Sequence, residues 1–264
     1  MILKDTLFPV KEDTIYQAAG GDPSGYKFIV REDTNEILSV VTDKYKMVSN
    51  KDVVNAAKPV LKEIGAKLTE CETFANGART SWTWKIPDVK VNIAGSKYTN
   101  SLKEDYVHPT ITIKNSYDGS VGLHILAGAF RLVCSNGMVI GVVAQNYKNK
   151  HSVYNVSLDD IESVIDETID KTKIIFKDEF PILVENQIKE KHIVNLIKMF
   201  PIQANEIVTQ RLIADKPKTF WDLFNVGTNV LTHHMNRNSE ATHTLENNIY
   251  KAVKGWALKE IPSA

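Results

Sequence analysis

The chain has 264 residues, 43% of them hydrophobic and 24% charged, with 32 basic and 32 acidic side chains and a formal net charge of zero. That composition suits a folded globular protein and excludes a disordered or fibrous one, and a neutral total gives no bulk attraction to a polyanion or an anionic membrane. Two cysteines, Cys71 and Cys134, neither in a Cys-x-x-Cys pair, leave no basis for a disulfide framework or a structural zinc site.

The opening residues lack the long apolar core of a signal peptide, and no run approaches the roughly 18 apolar residues of a membrane span. The expectation is a cytoplasmic protein without a membrane partner. Tyr26, Phe28 and Val30 alternate with Lys27, Ile29 and Arg31, and a polar turn at Asp33-Thr34-Asn35 leads to Ile37, Leu38, Val40 and Val41, which predicts a hairpin. Asn50 reads as the cap of a helix with apolar positions Val53, Val54, Ala57, Val60, Leu61 and Ile64, ended by Gly65. Pro59 inside it predicts a kink or a break. Asn76-Gly77 supplies the positive φ angles of a two-residue hairpin turn. In the segment after it, Trp82, Trp84 and Ile86 share one face, while Arg79, Ser81, Thr83 and Lys85 share the other. Thr110 to Asn115, a turn at Asp118-Gly119 and Val121 to Ala127 make a second hairpin. Phe130 to Val133 adds a short strand, closed by Ser135-Asn136-Gly137.

After Lys150 the apolar period lengthens. Ser157 reads as a cap, with Asp160 in the capping-box position and a buried stripe of Ile161, Val164, Ile165, Thr168 and Ile169. Further helical patterns run from about Glu185 to Met199, stopped by Pro201, and from Ala204 to Ile213. Another opens at Thr219 with Trp221, Phe224, Val230 and Leu231 inward, and the last carries Leu245, Ile249, Val253 and Trp256. The fold class is α+β: an antiparallel twisted sheet of β-hairpins with one early helix, followed by an all-helical C-terminal part. The predicted domains are residues 1–150, β-rich with a basic hairpin region, and 151–264, helical with an acidic first helix.

Zero net charge hides an uneven distribution. Residues 75–150 carry nine basic and four acidic side chains, whereas 157–180 carry three basic and eight acidic. Single-stranded nucleic acid is held by a positive groove along its backbone and by rings on which bases stack. Arg79, Lys85, Lys90, Lys97, Lys114 and Arg131 could supply the charge, and Trp82, Trp84, Tyr98 and Tyr117 the rings. The alternation of Trp82 and Trp84 suits core residues as well, and both readings stand at this point.

Other chemistry has less support. His233 and His234 are adjacent, so on a helix they point about 100° apart and do not readily share a metal. Cys134 has no histidine at a spacing that marks a nucleophile, and no Gly-x-Gly-x-x-Gly or Walker sequence is present. Gly20-Gly21 precedes Pro23, which removes an amide donor that a phosphate cradle would use. Asp159, Asp160, Glu162, Asp166, Glu167 and Asp170 are accounted for by an acidic first turn and a solvated face. The expectation is a non-enzymatic protein with no cofactor and no metal.

One stretch, Arg131-Leu132-Val133-Cys134-Ser135-Asn136-Gly137-Met138, follows Asn115-Ser116-Tyr117-Asp118-Gly119-Ser120. Two further segments accompany it: Val40-Val41-Thr42-Asp43-Lys44-Tyr45-Lys46-Met47-Val48 followed by Asn50, and Thr219-Phe220-Trp221-Asp222-Leu223-Phe224-Asn225 with Leu231-Thr232-His233. Together they resemble a phage- and plasmid-borne family catalogued as a domain of unknown function, number nine-three-two. Its motif falls on Arg131, Cys134, Asn136 and Gly137. The resemblance implies no assigned activity. It implies a setting in phage or plasmid DNA metabolism, in the bacterial host cytoplasm if the protein is phage-encoded. Arg131 could pair with Asp118, with an acidic helix residue, or with a phosphate. The expected function is single-stranded DNA binding or annealing in replication or recombination, with single-stranded DNA as partner and a homo-oligomer as the working form. The alternatives are a protein-interaction module that inhibits a host factor or serves an assembly, and an enzyme of unrecognised type built around Arg131, Asn136, His108 and carboxylates.

Overall fold

The computed structural model describes residues 2–18, 20–92, 106–131, 137–138, 158, 160–235 and 239–261. The protein is α+β, as expected, with two compact units each assembled from separate stretches of chain. One unit takes Met1–Ile86, Thr110–Leu126 and Gln145–Ile169, and the other takes Pro87–Pro109, Ala127–Ala144 and Asp170–Ala264. No helix among the described residues is long and apolar enough to cross a membrane.

The single expected sheet is two antiparallel sheets. The first is β1 (Val10–Tyr16), β2 (Pro23–Arg31) and β3 (Ile37–Thr42), in that order. Its core face carries Ile29 and Val41, which pack with Phe8, Tyr45 and Tyr117. On β2, Ile29 and Val30 are buried, Lys27 and Arg31 on the Ile29 face are partly buried, and Tyr26 is exposed. The two cations tolerate this because their apolar stems lie on the core and their heads find partners. Lys27 Nζ is 2.8 Å from Glu12 Oε2, and the Arg31 guanidinium lies 4.1 Å from the Phe8 ring centre while its Nε donates to Asp33 at 2.6 Å.

Helix α1 (Asn50–Glu63) is capped by Ser49, whose Oγ accepts the Asp52 N–H at 3.0 Å, rather than by Asn50. Asn50 is the first helical residue and turns its amide inward. Pro59 does not break the helix. It sits on the exposed face, where water can take the place of the missing N–H as partner for the carbonyl one turn back.

The second sheet contains β4 (Lys67–Phe74), β5 (Arg79–Lys85), β6 (Val91–Asn92), β7 (Tyr106–Ser116), β8 (His124–Arg131) and β9 (Gly137–Met138). Its order is β4-β5-β7-β8-β9, with β6 paired to β7. The β4–β5 connection is longer than the two-residue turn expected at Asn76-Gly77. Phe74 pairs with Arg79, and Ala75, Asn76 and Gly77 all have positive φ. Gly77 is required there, because at φ +98° a Cβ would stand 3.0 Å from Phe8 Cζ. Strand β8 runs through Phe130 without a break, and Gly137 pairs with Phe130. Ser135 and Asn136 of the predicted closing turn lie outside the described residues.

The helical part comprises α2 (Ile161–Ile174), a π-helical turn at Ile175–Glu179, α3 (Phe180–Glu185), α4 (Glu190–Ile197), α5 (Asn205–Asp215), α6 (Phe220–His234) and α7 (Ser239–Glu260). The pattern read as one helix from Glu185 is divided, because Asn186 is extended and Gln187 bridges to Thr219. On α2, Ile161, Ile165, Thr168 and Ile169 are buried as the stripe requires; Ser157 and Asp159 lie outside the described residues. Thr219 caps α6 in a reciprocal box with Asp222, each side chain accepting the other's backbone N–H, at 3.1 and 3.0 Å. Phe180, Trp221, Phe224, Ile249, Tyr250 and Val253 form the centre of this core.

The start of α4 is tied to the end of α7. Glu260 takes Lys189 and Lys191, the latter at 2.6 Å, and lies 3.4 Å from His192 Nε2. His192 is buried against Phe220, and its Nδ1 accepts the Lys189 N–H at 2.9 Å. Burial, with Lys191 adding, holds the imidazole below its ordinary 6.5, against the pull of Glu260. A lowered pKa means that the folded state refuses a proton the unfolded chain accepts. The associated stability is complete above about pH 6.5 and is lost as pH falls through the lowered value. Glu260, held down to about 2 by Lys189 and Lys191, stays ionised throughout that window. Thermal melting between about pH 7 and about pH 5 should show a falling midpoint, and His192→Gln should flatten the fall. An unaltered slope in that variant would remove His192 as its cause.

Candidate nucleic-acid interface

Strand parity and register define the surface opposite the second sheet's core. Arg79, Ser81, Thr83 and Lys85 on β5 stand opposite Ser116, Lys114, Thr112 and Thr110 on β7, and opposite Phe74, Glu72, Glu70 and Lys67 on β4. Paired residues in an antiparallel sheet point the same way, so these side chains share one face. The β7 side is closed, with Thr110 and Thr112 buried and the Thr83 and Thr112 hydroxyls 3.1 Å apart. The edge strand is open: Lys67, Glu70, Glu72 and Phe74 are exposed, as is Arg79 at the end of β5. The open strip follows β4 for roughly 24 Å.

Of the six cations read from the sequence, Arg79, Lys85 and Lys114 come together on this face. Arg79 is 46% exposed, and its Nε donates to Asp118 Oδ2 at 2.7 Å. Burial alone would raise the Asp118 pKa, but hydrogen bonds from Ser120 and Arg79 outweigh it and hold the carboxyl below its usual range. Lys85 and Lys114 are half-buried, and each is already engaged within the protein. Lys90 belongs to the other unit, where it is exposed and lies 4.2 Å from the Tyr106 ring centre. Lys97 lies outside the described residues, and Arg131 ends β8 with its side chain outside them too. The strip is also not uniformly basic. Glu70 and Glu72 interrupt it, and burial together with Glu72 raises the Glu70 pKa.

Three of the four expected stacking rings are core residues. Trp82 is fully buried and its Nε1 donates to Thr6 Oγ1 at 2.9 Å; Trp84 and Tyr117 are buried as well. Trp82 and Trp84 occupy the face of the sheet opposite the cations, which is why strand alternation placed them correctly relative to Arg79 while leaving their role open. Tyr98 lies outside the described residues. The exposed ring on the cationic face is Phe74, at 52%, which sequence reading passed over. Its signal was parity across the hairpin, legible only once the four-residue loop had set the register.

Two of the segments that carry the family resemblance meet inside the first unit. Tyr45 Oη donates to the Ser116 carbonyl at 2.7 Å, and the Asn50 N–H donates to Tyr117 Oη at 2.8 Å. The Asn115 amide donates to Asn50 Oδ1 at 2.9 Å and to the Val48 carbonyl at 3.0 Å. Asn50 in turn donates to the Thr6 carbonyl and to Thr80 Oγ1. This buried lattice fastens the end of the first sheet and the start of α1 to the second sheet. The Thr219–Asn225 segment is likewise a cap and a core. Asp118 is claimed by Arg79. Cys134 and Asn136 lie outside the described residues, and Gly137 is placed only as the first residue of β9.

The enzyme reading rests on Arg131, Asn136, His108 and carboxylates, of which the Arg131 side chain and Asn136 lie outside the described residues. His108 is buried with Nδ1 3.2 Å from the Val89 carbonyl, and His233 and His234 are exposed in the last turn of α6. Among the described residues no three His, Cys, Asp or Glu side chains are grouped to hold a metal ion. Cys71 is buried, and that burial raises its thiol pKa, which disfavours the reactive thiolate. The π-helical turn does hold a polar cluster that the sequence did not disclose. Tyr250 Oη donates to Glu179 Oε2 at 2.5 Å, and Lys254 Nζ is 2.9 Å from Oε1. Burial and Glu179 both push the Tyr250 pKa up, so the phenol keeps its proton. With both carboxylate oxygens occupied, the cluster fastens the turn to α7.

No curated protein and no solved structure matches the chain. A family model described as Domain of unknown function (DUF932) matches residues 37–254. That span takes in the Tyr45–Asn50 segment, the Asn115–Gly137 region and the Thr219 helix, and leaves out β1 and β2. The buried lattice thus explains what two of those segments do physically, and the extent of the match settles their common origin: the chain belongs to the family Domain of unknown function (DUF932).

Proposed function

We propose that the protein is a non-enzymatic, single-stranded DNA-binding or annealing protein of phage or plasmid type, acting in replication or recombination in the bacterial cytoplasm. The observation that carries this reading is the shared face of Arg79, Lys85 and Lys114, placed across β5 and β7 beside the open edge strand β4. Arg79 already pairs with Asp118 through its Nε, and both lysines already have partners within the protein, so each contact made by one copy is weak. A homo-oligomer that repeats the strip along one strand provides the needed avidity.

Fluorescence anisotropy with a labelled single-stranded oligonucleotide tests it. Binding is expected at low salt, weakening linearly in log salt by about 0.7 per phosphate contacted. Arg79→Ala should lower both affinity and slope. Absence of binding at low salt sinks the proposal.

A protein-interaction module is favoured by a different observation: Val194, Ile202 and Ile213 in the helical part are exposed, at 48%, 84% and 67%. Salt-insensitive association with a host protein, lost on Ile202→Lys and Ile213→Lys, would support that reading in place of the first.

A further inference from the structure

We infer that Phe74 is the base-stacking residue of the open strip and that Arg79 is its phosphate partner, so that the ligand is read through the faces of unpaired bases. This rests on the nucleic-acid reading above. A single strand needs a ring as well as charge, and Trp82, Trp84 and Tyr117 are withdrawn into the core. Among the described residues the exposed aromatic rings are Tyr16, Tyr26 and Phe74. Tyr16 and Tyr26 belong to the first sheet. Phe74 is directly paired with Arg79 across β4 and β5, on the cationic face.

The pair is held rather than loose. Phe74 ends β4 and Arg79 begins β5, and between them Ala75, Asn76 and Gly77 take three successive positive φ angles of 50°, 56° and 98°. Alanine rarely adopts that conformation, and such strain gathers where geometry serves function. Gly77 packs under Phe8, which anchors the loop to the core. On the other side, Asp118 takes only the Nε of Arg79, and Ser120 holds that carboxylate in place. The guanidinium plane is thereby set while the side chain stays half exposed. A base on the Phe74 ring would have its phosphate within reach of that guanidinium, and the cation would also lie close to the stacked π systems.

Stacking on a neutral ring releases no counterions, so it predicts a loss of affinity without a change in salt slope. The test compares labelled oligothymidylate with an abasic oligomer of equal length, using full-length protein. Wild type should bind oligothymidylate more tightly. Phe74→Ala and Phe74→Leu should each weaken that binding by about 5- to 100-fold, leave abasic binding and salt slope unchanged, and erase the preference. Phe74→Trp should preserve it. Circular dichroism melting confirms that each variant is folded, and the leucine variant keeps the apolar volume if alanine does not fold. Wild type that prefers bases while Phe74→Leu does so equally overturns this inference and leaves the broader reading intact. Wild type that binds neither oligomer overturns both.

Discussion

Trp82→Ala is expected to lower the unfolding free energy by about 3–5 kcal/mol, measured by urea denaturation. The indole is completely buried in the middle of β5, flanked across the sheet by Cys71 and Ile113. Its Nε1–H satisfies Thr6 Oγ1, which itself donates to the Leu3 carbonyl at 2.7 Å. Alanine would leave both a cavity and a hydroxyl short of a partner. Trp82→Phe separates the two effects, since it keeps most of the volume and loses the hydrogen bond, at a cost of about 1–3 kcal/mol. Under conditions where Trp82→Phe is folded, its oligonucleotide affinity should equal that of wild type. A stability change under about 1 kcal/mol in Trp82→Ala would contradict core placement.

The second large effect is expected at Asn50. Asn50→Ala removes two donated bonds, to the Thr6 carbonyl at 2.8 Å and to Thr80 Oγ1 at 3.0 Å, and one accepted bond from Asn115. All three partner residues are buried. At about 1 kcal/mol or more for each stranded group, the loss should be about 3 kcal/mol. The cap of α1 survives, because Ser49 supplies it. Asn115→Ala should interact with Asn50→Ala rather than add to it, by about 0.5–3 kcal/mol in a double-mutant cycle. Strict additivity would mean that the two amides do not act through one another. Asn50→Asp should be no rescue, since a buried carboxylate accepts but cannot donate to Thr6.

These variants separate what the recurring segments do from what the protein does. The Tyr45–Asn50 and Asn115–Asp118 segments meet in a hydrogen-bonded interior, and Thr219 with Asp222 closes a helix end. Residues far apart in the chain can mark a family because they hold its fold together. Ligand contact is proposed instead for the less conspicuous Phe74 and Arg79.

Much of the fold was legible because it depends on short-range periodicity. The two-residue alternation from Arg79 to Lys85 placed Trp82 and Trp84 opposite the cations, and the 3.6-residue stripe on α2 and α6 named their buried positions. The misreadings have a common cause in long-range contacts. Asn50 looked like a cap and is instead drawn inward by Thr6, Thr80 and Asn115. The loop at Asn76-Gly77 is lengthened to pack Gly77 under Phe8.

By itself, then, the sequence determined the α+β class, the strand parities and the helical stripes, since each follows from where side chains point along a single element. The tertiary structure decided that there are two sheets and that the tryptophans are interior. It also decided that Arg79 answers to Asp118 and that Phe74 stands in water beside it. Those outcomes depend on which strand lies next to which, and pairing register is set by loops and distant partners that no local period encodes.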